Sequence, residues 1–374
     1  MNKNIYLALV GIGIGGIGFG LITPVTVLLL EQAGASSFIT GSTTMTGYLS
    51  IALFSRFTGR LIDKLGVKRV LLAGLIIWML GAVAHVFWFI YPLLYPIKFL
   101  MGIGGTFIFV STEVMINHYS NDSNRGKNIS LYVVLLSAGV AVGTLLIWTI
   151  NLADWVPFVI GALIMFVVLI FEYLILDDFR IKSSEEIPEK MPLSRMPVIG
   201  LLAGIVYGLF ESSIIVALPM YGLRNRFGTE EVSIFLASFV VGGIVLLYVI
   251  GSIADKLSKH RLLLYISSIL ALLFLIPVAV KEFVTLLIAF FAMGGIVPAF
   301  YTVGLNYTVE QVNKKYMAQA NGFFVMMYGL GTIAGPLLGS LTVELDKQYG
   351  YWIMASVLCL LFYIYLFQKP RSNA

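Results

Sequence analysis

Three ionisable side chains, Glu211, Glu113 and Lys98, fall inside long apolar stretches of the sequence, where an ion would have no water around it. A charge placed in hydrocarbon costs on the order of a few kcal/mol, so residues of this kind usually have a function. A carboxyl group loses its charge when it takes up a proton, and Glu211 and Glu113 could therefore couple proton movement to a change of conformation. Lys98 could bind an anionic solute or titrate against a carboxylate.

Each of these residues also has a purely structural interpretation. Glu211, in the middle of its stretch, could be a hydrogen-bond pin between helices. Glu113 lies close to a basic loop, so it could extend towards the surface or bridge two helices, and Lys98 could extend outwards in the same way. The sequence leaves both interpretations open for all three.

Other residues whose side chains could bind a ligand or take part in a reaction are isolated. His85 and His118 have no metal-ligand spacing around them, and Glu172 lies near the end of an apolar stretch, so we expect packing or interface roles for all three. The single cysteine, Cys359, excludes a disulfide framework and any site with several thiolate ligands. No phosphate-binding loop of the G-x-x-x-x-G-K-S/T type is present, so we predict no metal, no cofactor and no use of ATP.

Twelve apolar stretches must position these side chains, and each is long enough to cross about 30 Å of hydrocarbon. Hydrophobic residues make up 59% of the chain and charged residues only 11%, whereas a soluble domain would have roughly 25% charged residues. The sequence therefore predicts an all-α membrane protein with twelve transmembrane helices. The predicted spans are 6–30, 39–58, 70–90, 93–117, 128–150, 155–176, 197–222, 231–253, 262–280, 283–308, 317–342 and 350–367.

A charged segment between the second and third spans recurs at about half the chain length. Residues 59–69 read GRLIDKLGVKR, and residues 251–261 between the eighth and ninth spans again place Gly251, Asp255 and Arg261 in order. A repeat at half-length predicts a tandem duplication. An offset of six spans puts equivalent loops on the same side, so the two halves should be related by a pseudo-twofold axis along the membrane normal.

Matched residues elsewhere extend the repeat. Pro24 corresponds to Pro219, Gly143 to Gly335, and Gly104-Gly105 to Gly294-Gly295. The one stretch of different composition, 177–195, is polar and broken by prolines, as expected of an exposed linker. We therefore predict an N-terminal six-helix bundle over 1–176, a cytoplasmic linker over 177–195 and a C-terminal six-helix bundle over 196–374.

Positive charge sets the expected orientation, because short cytoplasmic loops are rich in Lys and Arg. Of 24 Lys and Arg residues, only Arg224, Arg226, Lys281 and Lys347 fall in loops on the opposite side, apart from Lys98 within a span. Both termini are therefore predicted to be cytoplasmic. The net charge of +5 follows from this topology, and no nucleic-acid partner is needed to explain it.

The twelve spans and the G-x-L-x-D-K-x-G-x-K-R segment resemble the major facilitator superfamily over essentially the whole chain. The resemblance implies a monomeric transporter in which two bundles alternate access to a central site. It also implies a conformational latch at Gly59, Asp63, Lys64, Gly66 and Arg69, with Asp255 and Arg261 as repeat counterparts. An ordinary solvated turn is the alternative for this segment. Gly59 fits a close helix approach, and Gly66 fits a tight turn.

Small residues in the fifth and eleventh spans predict close helix packing. They form Gly139-x-x-x-Gly143 and Gly331-x-x-x-Gly335-Pro336. Pro24, Pro219 and Pro336 are assigned to packing or gating with them. The first motif also resembles an antiporter motif of the family, but Thr144 stands where that motif has proline.

The stretch from Gly102 to Gly143, with Glu113 and Asn124-Arg125-Gly126, is similar to bacterial transporters of the YcaD and YfkF type. This resemblance implies a secondary transporter in the bacterial cytoplasmic (inner) membrane, with protons and a small organic solute as partners. Proton-coupled efflux by antiport, of a drug or a metal-chelating metabolite, is the favoured function. Import of a nutrient, lipid flipping and a sensor without transport are the alternatives, and none of the four is an enzymatic reaction.

Overall fold

The computed structural model describes residues 3–121, 124–180, 196–254, 257–346 and 348–369. Contacts divide the chain into two compact units, Met1–Glu185 and Glu186–Ala374. Every regular element among the described residues is a helix, as the long apolar stretches of the sequence predict. The predicted Asp255 site and most of the predicted linker, from residue 181 to residue 195, lie outside the described residues.

Six long helices make up the N-terminal unit over its described residues. The 3-10 turns His85–Phe87 and Leu146–Asn151 continue the third and fifth of them. The helices are α1 (Lys3–Gln32), α2 (Ser37–Leu65), α3 (Val67–Ala84), α4 (Tyr91–Tyr119), α5 (Arg125–Leu145) and α6 (Val156–Ile175).

The described part of the C-terminal unit contains eight helices, because two of the six predicted spans are interrupted. The interruptions lie next to Pro277 and Pro298, which have no backbone N–H to continue the helical hydrogen bonds. The helices are α7 (Val198–Arg224), α8 (Thr229–Ala254), α9 (Lys259–Leu273), α10 (Ile276–Ala279), α11 (Phe283–Ile296), α12 (Ala299–Glu310), α13 (Met317–Leu345) and α14 (Gly350–Gln368).

Eleven segments of the described chain are long and apolar enough to cross a membrane. They include α9 with α10 and α11 with α12 as single spans. The remaining predicted span is α2, which has 29 residues but is more polar than the others. The hydroxyl groups of its buried Thr40, Ser42, Thr43 and Thr44 donate hydrogen bonds to backbone carbonyl oxygens one turn earlier in the chain, which satisfies these hydroxyl groups away from water.

The helices of the two units pair in the same way. α1 packs along α5, α2 along α4 and α3 along α6, and the counterparts in the C-terminal unit are α7 with α13, α8 with α11 and α9 with α14. Equivalent pairs are six spans apart in each case, as the predicted duplication requires.

Packing corrects one detail of the predicted repeat. A side chain at Gly102 in α4 would collide with the carbonyl oxygen of Gly47 in α2, and one at Gly294 in α11 would collide with that of Phe239 in α8. Gly104 instead faces α3, where the carbonyl oxygen of Gly74 is 2.8 Å from an ideal Cβ position. The structural counterpart of Gly294 is therefore Gly102, and not Gly104.

Candidate functional site

The intramembrane carboxylate of Glu211 lies in a cluster of three tyrosines, all within the C-terminal unit. The Tyr328 hydroxyl donates a hydrogen bond of 2.7 Å to Glu211 Oε2, and the Tyr207 hydroxyl also bonds to the Glu211 carboxylate. The ring centroids of Tyr207 and Tyr328 are 5.3 Å apart in a stacked arrangement. Tyr301 stands edge-on to both, with centroids 5.3 Å from Tyr207 and 5.4 Å from Tyr328. We call these four residues the Glu211–tyrosine cluster.

Three helices build the Glu211–tyrosine cluster. Tyr207 and Glu211 are four residues apart in α7 and therefore lie on one face of that helix. Tyr328 comes from α13 and Tyr301 from α12. Beneath them, Phe324 of α13 packs against Tyr301 with centroids 5.1 Å apart. All four members of the cluster are partly exposed.

Small residues bring α13 close enough to α7 for the Tyr328–Glu211 hydrogen bond. A side chain at Gly208 would collide with the carbonyl oxygen of Tyr328, and one at Gly331 would collide with that of Ile205. Gly335 faces the carbonyl oxygen of Leu209, which is 2.6 Å from an ideal Cβ position. The glycine pattern that the sequence assigned to packing therefore also positions the site.

The duplicated position in the N-terminal unit has no such chemistry. The Pro24 and Pro219 match paired Gly16 of α1 with Glu211, but packing corrects this pairing. An ideal Cβ at Gly16 would lie 2.6 Å from the carbonyl oxygen of Leu136 in α5, just as a side chain at Gly208 would collide with the carbonyl oxygen of Tyr328 in α13, so the counterpart of Gly16 is Gly208 and that of Glu211 is Phe19. One copy of the repeat thus has an aromatic ring, packed against Trp78 and Phe109, where the other holds a carboxylate. The two halves have diverged at this position.

Lys98 is buried in the N-terminal unit, with 7% of its surface exposed. Its ammonium group donates a hydrogen bond of 3.1 Å to the Thr44 hydroxyl of α2. The structure thus places Lys98 inward and does not show it extending to the surface. His85, which is 1% exposed, interacts electrostatically with Lys98. Among the described residues, no carboxylate lies within 4.0 Å of the lysine ammonium group.

This burial gives a testable expectation for Lys98. A buried charge held by one hydroxyl contributes little net stability, and an apolar side chain of similar length is often neutral or stabilising in its place. We expect Lys98→Met to keep or raise the melting temperature of the purified protein. Thr44→Val is the matched partner variant, because it removes the hydrogen bond and keeps the lysine. A melting temperature of Lys98→Met more than a few degrees below that of the wild type would contradict this account.

Glu113 is exposed, and its carboxylate bonds to the Tyr132 hydroxyl of α5. It is fifteen positions after Lys98 in α4, which at 1.5 Å per residue separates the two by roughly 22 Å along the helix. The structure therefore does not combine Glu113 and Lys98 in one site. Glu211 belongs to the other unit and has its own partners.

The charged segment after α2 turns at Gly66, which has φ +93° and ψ 155°. Only glycine adopts this conformation readily. The carboxylate of Asp178, just after α6, packs against Gly66 and accepts a 3.3 Å hydrogen bond from the Lys68 backbone N–H. It also pairs with Arg69, at 3.8 Å. The start of the predicted exposed linker is thus fastened to this turn.

The other predicted latch residues are placed at the ends of helices. Gly59 and Asp63 are half-buried near the end of α2, whereas Lys64 and, in α9, Arg261 are exposed. No described atom lies within 4 Å of an ideal Cβ position at Gly59, so the close helix approach expected there is not present in this structure. Whether any of these residues forms a latch stays a prediction.

Gly66 gives a sharp test of the turn. Replacement by alanine should cost about 1–3 kcal/mol from backbone strain, and the added methyl group would also collide with Asp178. We expect Gly66→Ala to lower the melting temperature and the yield of folded protein. Gly126→Ala is the control, since open space surrounds that glycine among the described residues. Equal stability of the two variants would show that the turn tolerates a side chain.

Glu172 is a buried carboxylate that the sequence assigned to packing. It is 2% exposed in α6, its Oε1 fills the space beside Gly11 of α1, and it interacts electrostatically with Lys68. Its Oε2 has no hydrogen-bond partner among the described residues. Gly11 therefore makes room for this carboxylate. The described residues contain no group of His, Cys, Asp and Glu side chains that could hold a metal ion.

Sequence reasoning found Glu211 but missed most of its surroundings. Tyr207 had a detectable signal, because it precedes Glu211 by one helical turn. Tyr301 and Tyr328 had none, because they lie in other helices of the unit. Asp178 could have been suspected, since an acidic residue directly after the sixth span faces a basic segment only if the chain folds back.

The chain is similar to known proteins along its length. The model of the Major Facilitator Superfamily matches residues 8–200 and 200–374. The chain is 24% identical to a protein named as an uncharacterized MFS-type transporter, YfkF, of Bacillus subtilis (strain 168), over 96% of this chain and 94% of that protein. It is 22% identical to the uncharacterized MFS-type transporter YcaD of Salmonella paratyphi A (strain ATCC 9150 / SARB42), over 99% of this chain and 96% of that protein.

Among solved structures, a point mutant of the nucleoside transporter NupG has a similar fold. The TM-score is 0.79 at 12% identity, over 99% of this chain and 100% of that one. The likeness extends over both helical units, and these confirm the all-α, two-part architecture predicted from the sequence. Since a family model covers both halves and relatives match along the whole length, the chain belongs to the Major Facilitator Superfamily and is a secondary transporter of its YfkF and YcaD branch.

Proposed function

We propose that this transporter exchanges protons for a small organic solute and exports the solute across a bacterial cytoplasmic membrane, with both termini in the cytoplasm and a single chain as the working unit. The observation that carries this proposal is the Glu211–tyrosine cluster. It combines a carboxylate inside a membrane-spanning helix with two phenol donors and partial exposure.

Two opposing effects act on the Glu211 carboxylate. Removal from water disfavours the anion, whereas the hydrogen bonds from Tyr207 and Tyr328 favour it. Protonation removes the charge from the span, so it biases whichever conformation of the protein holds Glu211 with less water around it.

Further support for coupling comes from a comparison of the carboxylates that lie in the predicted spans of the two units. The described residues contain no other carboxylate in a predicted span with two tyrosine partners, and Glu113 has one such partner.

Support for export comes from the small-residue motif Gly139-x-x-x-Gly143, which resembles that of antiporters in the family. Residues 177–195 act as a linker between the bundles 1–176 and 196–374 in this proposal. The segment 59–69 and its repeat, with Asp255 and Arg261, act as the conformational latch.

The experiment is a proton-flux assay in proteoliposomes with a pH-sensitive dye inside. A panel of organic cations, nucleosides, sugars and organic anions is added outside in the absence of ATP. Exchange predicts that an added substrate moves protons in the direction opposite to itself. Proton movement together with the solute would establish import by symport, and solute flux without any proton movement would overturn coupling altogether. A lipid analogue moving between leaflets would instead establish flipping.

A further inference from the structure

We infer that Glu172 in α6 binds a proton and thereby controls how the chain is fastened where it leaves that helix. We call residues 176–179, which follow α6 directly, the α6 strap. When Glu172 holds a proton, Lys68 binds the α6 strap, and when Glu172 is ionised, it draws Lys68 away. The inference concerns the N-terminal unit and depends neither on the direction of transport nor on Glu211.

The Glu172 carboxylate is buried without a bonded counter-charge. It is 2% exposed, its Oε1 packs beside Gly11, and its Oε2 has no hydrogen-bond partner among the described residues. No Lys, Arg or His nitrogen of the described chain lies within 4.0 Å of it. Lys68 of α3 acts on it electrostatically over a longer distance. An anion buried in this way is costly, so the arrangement fits the protonated carboxyl group.

Lys68 instead fastens the α6 strap. Its ammonium group donates a 2.7 Å hydrogen bond to the backbone carbonyl of Leu176 and lies 5.6 Å from the centre of the Tyr173 ring. Tyr173 is exposed, whereas Glu172, one position earlier, faces α1. Successive helical positions lie about 100° apart around the axis. A move towards Glu172 therefore takes the ammonium group away from the Tyr173 ring and from the Leu176 carbonyl.

The α6 strap is also bonded to the ends of three other helices. The Asp177 carboxylate accepts a 3.4 Å hydrogen bond from Asn4 of α1, and the Phe179 carbonyl accepts a 3.0 Å bond from the Val67 N–H of α3. The Phe179 ring stacks on His118 of α4, with centroids 4.5 Å apart. The strap thus joins the end of α6 to α1, α3 and α4. A change in its hold changes the point from which the chain leaves the N-terminal unit.

The charges around Glu172 make Lys68 the moving group. The helices packed along α6 are α1 and α3, and the charged side chains at their strap ends are Lys3, Lys68 and Arg69. Lys3 lies 3.8 Å from Asp177, and Arg69 lies 3.8 Å from Asp178. Among the described residues, Lys68 has no carboxylate within 4.0 Å. It is therefore the cation available to an ionised carboxylate in α6, and one protonation can bias two positions of its ammonium group.

The test uses a nitroxide spin label at residue 180, directly after the α6 strap, in the full-length protein in nanodiscs. The label is attached to Arg180→Cys, and Cys359→Ala removes the one native cysteine. We expect the mobile fraction of the spectrum to rise from acidic to alkaline pH. Glu172→Gln should lose this rise and keep the low mobile fraction at every pH, because glutamine has a similar shape and cannot ionise. An unchanged rise in Glu172→Gln would overturn the inference.

Two further positions identify the groups involved. Lys68→Met should keep the label mobile at every pH, whereas Lys68→Arg should retain the response. His118 also titrates near neutral pH, and His118→Phe keeps a ring against Phe179 without this titration. It should respond like the labelled parent protein. Loss of the response in His118→Phe would assign the pH dependence to the histidine and overturn the inference.

Gly11→Ala changes the surroundings of Glu172 without replacing it. A methyl group at Gly11 would collide with Glu172 Oε1, whereas one at Gly13 would lie at an ordinary contact distance of 3.5 Å from Leu135 Cβ. We expect Gly11→Ala to shift the pH midpoint of the mobility change and Gly13→Ala to leave it unchanged. Equal midpoints in the two variants would contradict the position assigned to the titrating group.

Glu211→Gln separates this inference from the proposed function. The label should respond to pH in Glu211→Gln as it does in the labelled parent protein, even if proton exchange with a solute is lost. Failure of the proton-flux assay would therefore overturn the proposed function and leave the α6 strap response in place. Loss of the strap response in Glu211→Gln would overturn the inference.

Discussion

Glu211→Gln should reduce substrate-driven proton flux in dye-loaded proteoliposomes to the level of protein-free vesicles. Glutamine keeps the size of the side chain and can still accept a hydrogen bond from Tyr328, but it cannot take up a proton or carry the charge. The helix contacts around position 211 should therefore survive, and only the coupling should be lost. The assay uses the solute that gives the largest proton flux with the wild-type protein.

Two further variants make this result specific. Tyr328→Phe removes the donor 2.7 Å from the carboxylate and keeps the ring, so we expect a shifted pH dependence with substantial flux remaining. Glu230→Gln makes the same chemical change at an exposed position in the first turn of α8 and should have wild-type flux. Full proton-coupled flux in Glu211→Gln, at matched protein incorporation, would rule out Glu211 as the coupling group.

Gly143→Leu should be strongly destabilising to the N-terminal unit. Gly143 of α5 faces the backbone carbonyl of Ile17 in α1, and even a Cβ atom would collide with it. Overpacking of this kind usually costs about 1–3 kcal/mol. Here the added side chain would meet backbone atoms, which cannot rotate away as a side chain can. We therefore expect the loss in free energy of unfolding to lie at or above the upper end of this range.

The measurement is the yield of monodisperse protein and its melting temperature in detergent. Gly126→Leu in the same helix is the control, because no described atom lies within 4 Å of an ideal Cβ there. We expect a large loss for Gly143→Leu and near-normal behaviour for Gly126→Leu. If both variants behave alike, then close contact between α1 and α5 does not hold the unit together.

The architecture could be predicted from the sequence because hydrocarbon imposes strong rules on the chain. An apolar run near Tyr6 or Val198 can only become a helix when it crosses a membrane, and most described spans lie close to their predicted limits. The exception is α2, which ends at Leu65 and not at the predicted residue 58. The interruptions near Pro277 and Pro298 were missed, although the prolines that cause them are visible. Whether a proline breaks a span depends on its neighbours, since Pro24 and Pro219 lie inside continuous helices.

The site was predictable only where its signal is local. Glu211 stands out because a carboxylate is rare in such a segment. Its partners Tyr301 and Tyr328 look like ordinary apolar-span residues until folding brings α12 and α13 against α7. The inward burial of Lys98 was equally hidden, because its direction depends on the Thr44 hydroxyl in another helix.

Infrared difference spectroscopy of the reconstituted transporter between acidic and alkaline pH tests the central claim most directly, because it needs no knowledge of the solute. If Glu211 reversibly takes up a proton, the wild-type spectrum should contain the carbonyl band of a protonated carboxyl group that disappears at alkaline pH and is absent from Glu211→Gln. Tyr328→Phe should shift this band, since its phenol bonds to the same carboxyl. Identical difference spectra for the wild type and Glu211→Gln would contradict the account.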